Sequence, residues 1–225
     1  MNPSPFVRCF RICLAGLALA LAGGCASLLP KATVQPAFYA LDRARGETGA
    51  SAKLPPGAAT VAAGNAPTLV VNPPRAAAGF DSQRIIYTRD AHRLEYFSHS
   101  EWIDTPARML APLIVAALEH SGQFRAVVPT PSAAAGDIKL DTEILRLQQE
   151  FGGGASRVRF TLRAYLVDSV TRRVLAWREF DETVVAASED PYGGVVAANR
   201  AVQNVLMGVR ALGAEAVTEW GKVKR

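Results

Sequence analysis

A chain of 225 residues is long enough for one domain with a substantial core. Its formal charge of +5 is too small to argue for a nucleic-acid surface, and it falls to +3 once Arg8 and Arg11 are set aside with the leader described next. Of the three cysteines, Cys9 and Cys13 lie in that same leader. Only Cys25 then remains, which excludes an intramolecular disulfide in the processed chain.

Two cations and no anion precede an apolar run, Ile12 to Ala22. At about 11 residues it fits the core of a signal peptide and falls well short of the roughly 20 needed to span a bilayer. Small residues Ala22, Gly23 and Gly24 then lead directly to Cys25. That order predicts a lipoprotein signal: residues 1–24 are cut away, and the Cys25 thiol, the soft nucleophile at the cut, takes the lipid. A branched aliphatic residue is usual three positions before the cysteine; here that position is Ala22, with Leu21 one earlier. Ala26, where an aspartate would favour retention at the inner membrane, points to the outer membrane. Acyl chains on this one residue give more than a single-chain anchor, at roughly 0.8 kcal/mol per buried methylene.

Residues 25–36 read as lipidated N-terminus and tether, residues 37–220 as one domain, and residues 221–225 as a tail. Phe38 to Leu41 is expected as a first strand. Residues 43–66, rich in Ala, Gly, Pro, Ser and Thr, are expected to form a mobile insertion, because they offer too little apolar surface to offset ordering entropy. Thr68 to Val71 is a second strand, stopped by Pro73-Pro74. Arg84 to Tyr87 and Leu94 to Phe97 are short strands joined by a hairpin loop at Arg89–His92. Thr105 then suits a helix N-cap and Pro106 the first helical position. Leu110, Leu113, Ile114, Ala117 and Leu118 recur at helical spacing, Pro112 should bend that helix, and Gly122 suits its end. Phe124 to Val128 is a further strand.

Three long strands follow. Ile138, Leu140 and Thr142 alternate, then the parity shifts to Leu145 and Leu147, which predicts a β-bulge. After a turn at Gly152 to Gly154, Val158, Phe160, Leu162, Ala164 and Leu166 occupy one face of a strand, with Arg157, Arg159, Thr161 and Arg163 on the other. Asp168 to Arg172 turns the chain, and Val174 to Val185 returns as the third strand of an antiparallel meander. A last helix from about Pro191 to Trp220 carries Val195, Asn199, Val202, Val205, Val209, Leu212, Ala216 and Trp220 every three or four residues. One stripe of that length lies along a sheet, so the expected class is α+β: an antiparallel or mixed sheet packed by two main helices in a single domain.

Signals for chemistry are weak. His92, His99 and His120 fall in different elements without ligand-like spacing, so no metal site and no cofactor are expected. No GxSxG elbow occurs, and Gly152 to Gly154 lacks the Lys and Ser/Thr of a phosphate-binding loop. Trp102 and Trp177 suit a core or a ligand contact. Arg157, Arg159 and Arg163 form a basic stripe that suits a solvated face or an acidic partner or lipid headgroups. Glu179, Asp181 and Glu182 lie on a strand whose exposed face needs charge. A binding or assembly module fits these signals better than an enzyme.

Several segments in order are similar to one family. Phe38-Tyr39-Ala40-Leu41, Arg84-Ile85-Ile86-Tyr87, Leu94-Glu95-Tyr96-Phe97, Glu101-Trp102 and the helix from Pro106 to Leu118 resemble the ABC-type transport auxiliary lipoproteins, the group of the paraquat-inducible intermembrane transport lipoproteins. So does the late hairpin with Asp168, Thr171, Val174-Leu175-Ala176 and Phe180. The resemblance spans about residues 37–217. It departs where Thr88 separates Tyr87 from Arg89 and where residues 43–66 are inserted. It implies a non-enzymatic lipoprotein at the periplasmic face of the outer membrane, lipidated at Cys25. The implied partners are a tunnel-forming mammalian-cell-entry (Mce) domain protein and an ABC permease and ATPase; a homo-oligomer would suit a tubular partner. Exposed strand edges and the basic face are the expected contacts. A lipid-carrying lipoprotein with its own apolar cavity, and an assembly factor of another envelope machine, are the alternatives.

Overall fold

The computed structural model describes residues 35–42 and 65–223. The expected leader, Cys25, the stretch 43–64 and the last two residues lie outside the described residues. The described chain from Pro36 onward belongs to one compact unit.

The architecture is a single α+β domain in which a mixed nine-stranded sheet packs against two helices. Strand β7 (Ile138–Glu150) is its spine. At 13 residues it runs about 43 Å. Along one edge it pairs antiparallel with β8 (Arg157–Asp168), which pairs antiparallel with β9 (Val174–Val185). Along the other edge lie three short strands end to end, all parallel to β7. These are β2 (Thr68–Val71) against its start, β3 (Arg75–Ala76) at its middle and β4 (Arg84–Thr88) at its end. Pro73 and Pro74 explain the break between β2 and β3, since neither can donate to the ladder. Asn72 N–H donates to the Leu140 carbonyl before the prolines, and Ala77 N–H to the Ile144 carbonyl after them. The sheet then forks. β6 (Ala126–Pro129) lies outside β2, whereas β5 (Glu95–Trp102) and then β1 (Ala37–Tyr39) lie outside β4.

The bulge expected in β7 is present: its register against β8 shifts between Ile144 and Arg146. Gly152, Gly153 and Gly154 all have positive φ, as the tight β7–β8 turn requires. Some boundaries differ from expectation. β1 ends at Tyr39, and Leu41 turns into the core. β5 extends to Trp102 because it is paired on both edges. β6 starts at Ala126, while Phe124 is a buried core side chain instead of a strand residue.

Helix α1 (Pro106–Glu119) starts at Thr105, which is extended and precedes Pro106 as expected. The Thr105 side chain makes no cap; Asp104 Oδ1 accepts the Thr105 N–H at 2.8 Å instead. Helix α2 (Pro191–Val223) packs on β8, β9 and α1. Its stripe from Val195 to Ala216 is buried, apart from half-buried Asn199, against the buried Val158, Phe160, Leu162, Ala164 and Leu166 of β8. Both helices cover one face of the sheet, and the other is open to solvent.

A polar knot fixes the start of α2. Asp190 Oδ1 accepts the Gly193 N–H at 2.7 Å and the Ser188 hydroxyl at 2.9 Å. These bonds, the Gly193 amide first, hold the Asp190 carboxyl below the ordinary aspartate range. Buried Gln149, near the end of β7, donates from Nε2 to Ser156 Oγ at 2.9 Å and to the Asp190 carbonyl at 3.4 Å. Gly194 sits directly against it, so that a Cβ there would collide with Gln149 Oε1. Gly194→Ala is therefore expected to destabilise the domain by about 1–3 kcal/mol in urea unfolding. In the double variant with Gln149→Ala the two losses should sum to less than their separate values, because the shorter side chain removes the collision.

Candidate docking surface

The open face of the sheet is built by strand register. β8 presents Arg157, Arg159, Thr161, Arg163 and Tyr165. β9 presents Val185, Thr183, Asp181, Glu179 and Trp177 opposite them in that order. The three arginines are not a free basic stripe, which corrects the reading of this face as a cationic contact. Arg159 grips Asp181 through Nε and Nη2, at 2.9 and 2.6 Å, and the Thr161 hydroxyl donates to the same carboxylate at 2.8 Å. Arg163 donates to Glu179 at 2.8 Å and approaches Glu143 of β7 at 3.9 Å. Arg157 donates to Glu150 of β7 at 3.1 Å. The Arg159 guanidinium holds the Asp181 carboxyl down at about 2, and Asp181 in turn raises Arg159. Glu179 raises Arg163 in the same way.

The two candidate tryptophans separate. Trp102 is buried in the core beneath α2. Trp177 is 60% exposed and stacks on Tyr165, with ring centroids 6.1 Å apart and planes 20° apart. Tyr165 carries no functional signal in the sequence; only the register across the hairpin brings it to Trp177. His92 sits in the β4–β5 turn with φ of 68°, His99 is exposed on β5, and His120 caps the C-terminus of α1. The three are not brought together. Among the described residues no group of three or more His, Cys, Asp or Glu is placed to hold a metal ion. Gly152 to Gly154 joins two strands of a hairpin, with no helix N-terminus to form a phosphate cradle.

Two concave features among the described residues are shallow. A groove of about 250 Å³ between α1 and α2 is lined by Leu113, Ala117, Leu206 and Met207, with His120 and Arg210 at its rim. A cleft of about 380 Å³ beside β4 and β5 holds Asp81, Arg84, Leu94 and Tyr96, with the Arg84 guanidinium 4.1 Å from the Tyr96 ring centre. Both are open to solvent. The space beside Gln149 is about 10 Å³, room for about one water. No described helix is long and apolar enough to cross a membrane.

The Asp181 pair has a pH consequence. Its folded carboxyl titrates near 2 against an ordinary 3.8, so its stabilisation is present above about pH 4 and is lost as pH falls toward 2. Asp181→Asn should lower the melting temperature at pH 7 and flatten its fall between pH 4 and 2, so that the two curves converge at the acid end. Equal slopes in thermal melts across that window would show that the pair contributes nothing.

The sequence model of the ABC-type transport auxiliary lipoprotein component matches residues 52–208. The crystal structure of protein XCC0632 from Xanthomonas campestris, of the family model DUF330, is similar at 25% identity with a TM-score of 0.63, covering 71% of this chain and 89% of that one. A second solved structure, of an uncharacterized protein, shares the fold at 11% identity and a TM-score of 0.59, covering 79% and 97%. No curated protein matches. The matched segment takes in the strands, helices and hairpins described above from β2 through most of α2, and the chain belongs to the ABC-type transport auxiliary lipoprotein family, whose members are lipid-anchored envelope components of ABC-type transport.

Proposed function

We propose that this lipoprotein is the docking subunit of an Mce-linked lipid transport system of the paraquat-inducible type, held by lipid on Cys25 at the periplasmic face of the outer membrane. The family match over residues 52–208 carries this reading, because it ties the domain to ABC-type transport. The leader supplies the rest. Residues 1–24 have the order of a cleaved lipoprotein signal, Cys25 follows at the cut, and Ala26 lacks the inner-membrane retention signal. The tether between Cys25 and Pro36 spans at most about 40 Å when fully extended. That keeps the domain close to the membrane, where tethering raises the effective concentration at a partner and a modest intrinsic affinity suffices. The shallow grooves and the broad paired-charge face suit a surface that docks rather than a pocket that carries. A ring of several copies would match a tubular partner.

Cys25→Ser should abolish incorporation of labelled palmitate and leave an uncleaved precursor that does not partition as a mature lipoprotein. A processed, detergent-partitioning form of that variant would refute the anchor. The transport role is checked separately. The detergent-solubilised wild-type protein should retain the Mce-domain component of its own system through affinity purification, and its loss under gentle washing would remove this partner from the reading.

A further inference from the structure

We propose that the β8–β9 hairpin end of the open sheet face is the surface that docks a partner, and that the partner presents an acidic protein surface with an apolar ridge. This rests on the docking role proposed above and names the residues that would perform it.

The hairpin end combines two features that the rest of its face shows only singly, in the exposed Val185 at the far end of β9 and in the half-buried Arg146 of β7. First, it exposes large apolar side chains. Trp177 on its Tyr165 platform is 60% exposed, Val174 is 53% exposed and Val170 at the turn is 84% exposed. Exposed tryptophan and tyrosine on a rigid sheet have the character of an interface hot spot. Second, its cations are unmatched. Arg157, Arg159 and Arg163 each have a carboxylate, whereas Lys139, Arg172 and Arg173 are exposed and form no ion pair among the described residues. Lys139 lies in the row of Val167 and Val174, one row beyond Tyr165 and Trp177, and Arg172 and Arg173 close the turn. A cationic rim around an aromatic centre complements acidic charge around an apolar contact.

The turn is also pre-formed. Asp168 is buried, and its Oδ1 accepts from the Val170 N–H at 2.9 Å, the Thr171 N–H at 2.6 Å and the Thr171 hydroxyl at 3.0 Å. Arg172 is held at φ of 60°, with its N–H donating to the Asp168 carbonyl. Val170 is thus presented on a locked backbone, so little ordering entropy is lost on contact.

A protein partner fits this end better than an anionic bilayer. Glu179 and Asp141 adjoin the aromatic pair beside the cations, a mixed charge pattern that a protein surface can match residue by residue and a uniform layer of lipid phosphates cannot. The end is also far from the first strand of the domain: β1 belongs to the branch of the sheet that joins β7 at Gln149, about 26 Å along the strand from the row of Asp141, Tyr165 and Trp177.

The test uses the full-length lipoprotein in cells, with photoactivatable p-benzoylphenylalanine in place of Val174 and adducts identified by mass spectrometry. The expected adduct is a protein with acidic surface at the crosslinked site. It should weaken roughly tenfold with Lys139→Glu, Arg172→Glu and Arg173→Glu combined, and also with Trp177→Ala, but not with Arg200→Glu on the exposed side of α2. All these positions are exposed, and an unchanged melting temperature verifies the fold of each variant. An adduct to the Mce-domain component supports both the surface and the proposed function. An adduct to a different acidic protein, with the same sensitivities, keeps the surface and sinks the Mce reading. Adducts only to lipid, adducts only to a second copy, insensitivity to the charge reversals, or no adduct would each overturn the docking surface.

Discussion

The pairing of β7 on both edges is the constraint on which the rest of the fold depends. One 13-residue strand accepts β8 along its whole length on one side and three short parallel strands in succession on the other. Its inward side chains Ile138, Leu140, Ile144 and Leu147 are buried, so every neighbour must hold a register that keeps their face under the helices. The bulge after Ile144 restores that alternation: without it Leu147 would face solvent. The two prolines after β2 and the glycine turn after β7 are local devices that serve the same ladder.

Polar side chains are placed where this ladder meets other elements. Gln149, near the last paired position of β7, reaches the start of α2, and Gly194 is the residue that lets it do so. Asp168, at the opposite end of the β7–β8 pair, stabilises the β8–β9 turn. These buried polar contacts fix the two ends of the hairpin pair, and the apolar sandwich of α2 on β8 and β9 fills the space between them. The result is a sheet with one covered and one open face.

That division shapes the functional reading. The covered face is filled by side chains, with room for about one water beside Gln149. The open face carries ion pairs along its length, and its hairpin end gathers Val170, Val174 and Trp177 beside Lys139, Arg172 and Arg173. Apart from the bidentate Arg159–Asp181 pair, exposed ion pairs of this kind contribute little to stability and much to solubility and partner choice. The chain belongs to the auxiliary lipoproteins of ABC-type transport, and the docking role proposed for it would use such a surface.

The sequence by itself determined the elements whose signal is local. Strict alternation in β8, the parity shift in β7, the stripe of α2 and the Thr105-Pro106 start of α1 were all legible, because each follows from side-chain periodicity or from a fixed φ. The family resemblance was also legible, since it rests on the order of short motifs. Pairing was not. β3 is two residues long and has no pattern of its own, and the parallel joining of β2, β3 and β4 to β7 depends on contacts far apart in sequence. The fate of the arginine stripe was decided by register alone. A small irregularity between Leu166 and Val167 places Glu179 opposite Arg163 and Trp177 opposite Tyr165. Counted from the turn without it, Arg163 would have met Arg178. Sequence periodicity says which side chains share a face of one strand; only the tertiary ladder says which of them face each other, and that decided where charge is cancelled and where it stays exposed.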